Sequence, residues 1–235
     1  MDGGAGRWCE SQPEAVPYRG HCFVQRAELL LLHGRWDEAL EEANRAREWY
    51  SSPRPRPGLG EALYIAAELQ RRRGELSQAE EAYREAARWQ RVPRPGFALL
   101  RLAQGQVAAA RAAARQVSEA AHDDASRAPV LEACVEISLA AGDAPAARRS
   151  ADELLAIARR LGGAFLAGLS ARATGAVRLA EGEIAGTLAE LRAALGAFRD
   201  LSAPYEVART QVQLARACEA DGVPDLAAVE RDAAA

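Results

Sequence analysis

The residues able to do chemistry in this 235-residue chain are few and scattered. Its four cysteines are Cys9, Cys22, Cys134 and Cys218, far apart and without a CxxC pair. That spacing supports neither a disulfide framework nor a zinc site. Three of them fall in apolar helical stretches, where a free thiol behaves as a small core residue. A reducing cytoplasmic setting fits that usage. His21 and Cys22 are adjacent, with Cys9 and His33 near in sequence, but neighbours on a helix point apart and make a poor metal site. A cysteine nucleophile at Cys134 or Cys218 needs a histidine partner. The one candidate, His122, precedes Asp123-Asp124 in a turn, where capping and solvation explain it. Glu41-Glu42 and Glu80-Glu81 sit on solvated helix faces and do not converge as a glycosidase pair must. No phosphate-binding loop is present. The chain therefore reads as a binding module and not an enzyme, with no cofactor and no metal.

Charge and composition narrow the partners. The net charge is -3, from 30 basic and 33 acidic residues. This balance gives no general attraction to nucleic acid or to an anionic membrane. Arg71-Arg72-Arg73 is the densest basic run, and a helix C-terminus accounts for it through the dipole. Trp8, Trp36, Trp49 and Trp89 read as packing anchors. The N-terminal residues lack a signal pattern, and the longest aliphatic run, Leu29 to Leu32, is far too short to span a bilayer.

The elements that must carry these side chains are helices. Apolar residues make up 49% of the chain and aromatics only 6%. Ala/Leu/Glu/Arg stretches with few β-branched residues favour helix nearly throughout. A phrase then recurs: an apolar helix, Gly, four residues, a small residue. It begins at Gly34, Gly74, Gly105, Gly142, Gly182 and Gly222, at intervals of 40, 31, 37, 40 and 40 residues. Gly closes a first helix in a left-handed conformation that a Cβ disfavours. A short turn follows, and a second helix opens on residues such as Asp37, Glu38, Ser77 or Asp225. The small residue five positions after Gly, and another seven positions before it, mark close helix crossings.

This predicts an all-α superhelix of about six helical hairpins. First helices are expected near 21–33, 59–73, 95–104, 127–141, 164–181 and 204–221. Second helices are expected near 36–50, 76–91, 107–121, 145–161, 184–200 and 224–234. Residues 1–20 form a lead-in and 21–235 one repeat domain, with repeats at 21–50, 59–91, 95–121, 127–161, 164–200 and 204–235. Pro-rich linkers fall at 51–58 and 92–96.

The repeats resemble the tetratricopeptide repeat, which has Gly near the end of its first helix and Ala, seven residues apart, in its second. Ala39 with Ala46 and Ala79 with Ala86 match, with Tyr83 at the intervening aromatic position. Thr187 departs at the first Ala, and Val117 and Leu154 at the second. Intervals of 37 and 40 exceed the family's usual 34. A narrower resemblance is to the helical repeats of large bacterial LuxR-type (MalT-like) transcriptional regulators. It rests on Leu201-Ser-Ala-Pro-Tyr-Glu-Val-Ala-Arg-Thr-Gln-Val-Gln-Leu-Ala-Arg-Ala217 and Ala173-Thr-Gly-Ala-Val-Arg-Leu-Ala-Glu-Gly182. The opening segments Arg7-Trp-Cys-Glu, Arg19 to Glu28 and Leu32 to Trp36 are similar too. This implies a cytoplasmic regulatory arm, whose DNA contact would come from a helix-turn-helix beyond Ala235. The chain is then expected to be a fragment or truncated relative of such a regulator.

A repeat solenoid works through the face lined by its first helices. Counting back six, ten and thirteen residues from each Gly selects His21, Glu28, Glu61, Tyr64, Glu68, Glu132, Glu136, Arg172, Arg209 and Arg216. The early members are mostly acidic and the later ones Arg. The expectation is a groove of opposite charge at its two ends, taking a protein or peptide partner. The alternative is that these charges are ordinary solvated faces and inter-repeat ion pairs. A free-standing adaptor and a small-ligand sensor are the other functional readings.

Overall fold

A computed structural model describes residues 18–52, 58–89 and 94–234. Trp8, Cys9 and most of the lead-in and linker residues lie outside that set. Twelve helices and no strand occur among the described residues. In chain order they are α1 (Arg19–Leu32), α2 (Trp36–Ser51), α3 (Leu59–Arg72), α4 (Leu76–Ala87), α5 (Gly96–Ala103) and α6 (Val107–Ala120). Then follow α7 (Asp124–Ala140), α8 (Ala144–Leu161), α9 (Ala164–Ala180), α10 (Ile184–Asp200), α11 (Pro204–Ala220) and α12 (Pro224–Ala234). Each odd helix packs on the even helix that follows it, so the six hairpins expected from the sequence are present.

The recurring Gly does what its position demands. Gly34, Gly74, Gly105, Gly142, Gly182 and Gly222 all have φ between 72° and 81°. Their N–H groups close the last turn of each odd helix, as in Gly142 donating to Leu139 O at 3.0 Å. The small residue five positions later is wholly buried at all six sites: Ala39, Ala79, Ala110, Ala147, Thr187 and Ala227. The residue seven positions before Gly is equally enclosed at Ala27, Ala67, Ala98, Val135 and Ala215. At the remaining site, Gly175, an added Cβ would lie 2.9 Å from two Leu191 carbons. Small residues therefore set the distance between helices, and aliphatic side chains fill what remains.

Two boundaries differ from expectation. Helix α7 begins at Asp124 instead of 127, because Asp123 caps it and accepts from Ser126 N at 2.9 Å. Helix α4 ends at Ala87, four residues short of the expected 91. The expected single repeat domain is also divided. Packing separates two compact units, Met1–Val92 and Pro93–Ala235, and the boundary falls in the second Pro-rich linker. Within each unit successive odd helices touch: α1 with α3, α5 with α7, α7 with α9, and α9 with α11. Odd helices thus form a continuous layer in each unit, with the even helices against them.

Each unit has its own core. Val24, Leu30, Leu31, Ile65 and Leu69 gather around buried Ala39, Ala43 and Ala46 in Met1–Val92. Leu191, Leu195, Leu214 and Ala217 form one cluster of Pro93–Ala235. No described helix is long and apolar enough to cross a membrane.

Candidate functional site

The first five predicted site residues belong to Met1–Val92. His21 is exposed at the start of α1, and Glu28 is half-buried one turn from its end. Glu28 accepts from Gln25 Nε2 at 3.4 Å. Glu61 is half-buried in the first turn of α3. Tyr64 and Glu68 are buried. The Tyr64 ring meets Tyr83 edge-on, 5.4 Å between centroids. Glu68 pairs with Arg71 at 2.7 Å and Arg72 at 3.6 Å, and accepts a short hydrogen bond from the Tyr83 hydroxyl. Burial alone would raise the Glu68 pKa. The two guanidinium charges and the hydrogen bonds from Arg71 and Tyr83 outweigh burial and bring it to about 2. The Tyr83 hydroxyl is pushed well above its ordinary value by burial and then by the Glu68 charge, so it remains a donor. Glu68 therefore ties α3 to α4 and is turned inward. The Arg71-Arg72-Arg73 run is likewise accounted for, since Arg73 pairs with Asp37 at 2.6 Å.

The other five lie on α7, α9 and α11 of Pro93–Ala235, and here the structure gathers them. Arg172, from the middle of α9, is 1% exposed. Its guanidinium reaches Glu132 of α7 at 3.0 Å and Glu206 of α11 at 2.6 Å. It also donates to the Glu206 carbonyl at 3.3 Å and stacks over the Phe198 ring at 4.9 Å. Arg209 bonds Glu136 at 2.6 Å, Glu132 at 3.2 Å and Glu206 at 3.3 Å. Burial works against the charge on Arg209, but the three carboxylates outweigh it and hold its pKa above the ordinary value. Glu132 and Glu136 thus do not stand at one end with Arg172 and Arg209 at the other. They are ion-paired across three hairpins, which is the inter-repeat alternative raised by the sequence. Arg216 is exposed and takes no part in this network.

Beside the network is a cavity of about 470 Å³. Its walls come from α5, α7, α9 and α11 and include Glu132, Glu136, Arg172, Gln213 and Arg216. Leu102, Leu139 and Leu179 form its apolar side, and Ala173, Ala176 and Ala180 its small-residue floor. The register explains the shape. Glu136, Ala176 and Arg216 each lie six residues before their Gly, so the small Ala176 leaves room between two charged walls. The three leucines each lie three residues before theirs.

Glu206, Gln213, Ala176 and the leucine row were not among the predicted residues. The leucines had a usable signal, since Leu31, Leu102, Leu139 and Leu179 all stand three before a repeat Gly. Glu206 had none, because its role depends on the reach of Arg172 from another hairpin. Among the described residues, no cluster of three or more His, Cys, Asp or Glu is arranged to hold a metal ion. Burial pushes the Cys134 thiol up to about 11, which leaves it protonated and a weak nucleophile at neutral pH.

The fold places the chain among all-helical proteins built of repeated hairpins. Among solved structures, it is similar to BtubC (BKLC) from P. vanneervenii. The TM-score is 0.54 and the identity 19%, over 88% of this chain and 89% of that one. At that identity the likeness is one of fold alone. No protein-family model matches the sequence, and no curated protein matches it.

Proposed function

We propose that this chain is a protein-interaction module of tetratricopeptide type whose Pro93–Ala235 unit seats a peptide segment of a partner protein. One observation carries the reading: the cavity on the odd-helix layer, with leucines on one side and charged groups on the other. A mostly apolar concavity with a few placed polar groups is the usual form of a binding site. The network fixes its walls, because Arg172 and Arg209 hold α7, α9 and α11 in register. Rigid walls lower the ordering cost of binding. In the wider setting suggested by the LuxR-type resemblance, the module serves as the regulatory arm of a transcriptional regulator. Contact with DNA would belong to another segment, and this part would bind neither DNA nor membrane.

A second reading has one observation in its favour. The cavity volume lies within the range of roughly 300–1,000 Å³ common for small-molecule sites. A small-ligand sensor is therefore the competing assignment.

Random-peptide display against the full chain tests the proposal, with the Ala176→Trp variant as counter-target. Trp at 176 fills the floor of the cavity. Ala173→Leu serves as a second filling variant should Trp disturb folding, which circular dichroism would show. The expected result is a set of peptides that bind the wild-type chain and lose affinity by roughly tenfold or more on the filled variant, the scale of a lost anchor contact. Failure to recover any such peptide, with small molecules alone raising the melting temperature, would favour the sensor reading.

A further inference from the structure

Two buried side-chain polar atoms without a hydrogen-bond partner stand out among the described residues of Pro93–Ala235: Arg172 Nε and Gln213 Oε1. Both residues line the cavity. Buried polar atoms without partners are costly and rare in native structures. These two have opposite sense, one an N–H donor and the other a carbonyl acceptor. Together they complement an amide, whose C=O accepts from Arg172 and whose N–H donates to Gln213.

The remaining walls say what flanks that amide. Leu102, Leu139 and Leu179 provide an apolar side. Glu136 faces the cavity too, but Arg209 already pairs with it at 2.6 Å. Arg216 lies at the equivalent register position on α11, outside the ion-pair network, and carries a charge that nothing in that network neutralises.

We propose that the cavity selects a peptide segment with an apolar side chain and a carboxylate near it. The main-chain amide sits between Arg172 and Gln213, the apolar side chain lies against the leucines, and the carboxylate meets Arg216. The assignment rests on the peptide-binding reading above and names its ligand class. Arg172 contributes through a nitrogen its ion pairs leave unused, so its structural role and its binding role coexist.

The peptides that survive counter-selection against Ala176→Trp are the probes. They are expected to be enriched in Asp or Glu with an aliphatic or aromatic residue close by. Arg216→Glu should weaken them by roughly fivefold or more, and Gln213→Leu by roughly tenfold. Arg216→Gln replaces the first variant if charge reversal impairs folding. Each amide of the best peptide is then changed in turn to an ester, which lacks the N–H. One ester should cost roughly tenfold on the wild-type chain and nothing further on Gln213→Leu, because both changes remove the same bond. Surviving peptides that are neutral or basic, or an ester scan with no position coupled to Gln213, would overturn this assignment and leave the peptide-binding reading standing. Failure to recover any peptide sensitive to Ala176→Trp would overturn both.

Discussion

Two buried charged residues organise the molecule at the residue scale, one in each unit. Arg172 is the larger commitment, because a 1%-exposed guanidinium must be fully paired to persist. Replacing it by Met would strand Glu132 and Glu206, and the expected loss is about 3–5 kcal/mol in urea denaturation. Adding Glu206→Gln should recover part of that loss, since the second change removes one stranded charge. Glu68 makes a prediction about pH. Its carboxyl falls from an ordinary 4.5 to about 2 in the fold. A depressed carboxylate stabilises the fold above its unfolded pKa, and that contribution disappears as pH falls from about 4.5 towards 2. The size is on the order of 3 kcal/mol at neutral pH. Glu68→Gln should therefore lower stability near neutral pH. It should also shrink the stability difference between about pH 6 and about pH 3, read from urea midpoints. An unchanged difference would show that Glu68 titrates normally. Neither network was legible in the sequence as a network. The residues were found, because they sit at fixed offsets from Gly. Their partners were not, because Arg209 and Glu136 are 73 residues apart and only the stacking of hairpins brings them to 2.6 Å.

Element-scale features were far more legible, because each hairpin repeats the same local solution. Gly at the end of an odd helix, and small residues five after and seven before it, are backbone and crossing constraints that leave few choices. They recur wherever a hairpin recurs, so the sequence displays them six times. Boundaries were less legible where capping decides them, as at Asp123, whose side chain draws α7 three residues earlier than the hydrophobic pattern does. One turn breaks the glycine rule. Ser202, between α10 and α11, has φ 51°, the single non-glycine in the left-handed region among the described residues. A Cβ there is unfavourable, so Ser202→Gly should leave stability unchanged or raise it by up to about 1 kcal/mol, despite the added freedom of Gly in the unfolded chain. A clear loss on that substitution would mean that the serine side chain contributes more than its backbone costs.

Considered as a whole molecule, the chain is two compact units of helical hairpins, and the candidate site belongs to one of them. The sequence predicted hairpins and their number, but not this division. Both Pro-rich linkers look alike as sequence, and only the packing of helices on either side separates the units at the second. The charges follow the same logic. Counted along the chain they suggested a groove with two opposite ends. Folded, the ones in Pro93–Ala235 neutralise one another and leave Arg216 outside the network.

Hydrogen exchange of the full chain, with and without a peptide that binds the wild-type but not the Ala176→Trp variant, tests the central claim most directly. The account predicts slowed exchange in residues 132–140, 172–180 and 209–216, where the odd helices line the cavity, and little change in α8 and α10. Protection confined to α8 and α10, or to Met1–Val92, would contradict it.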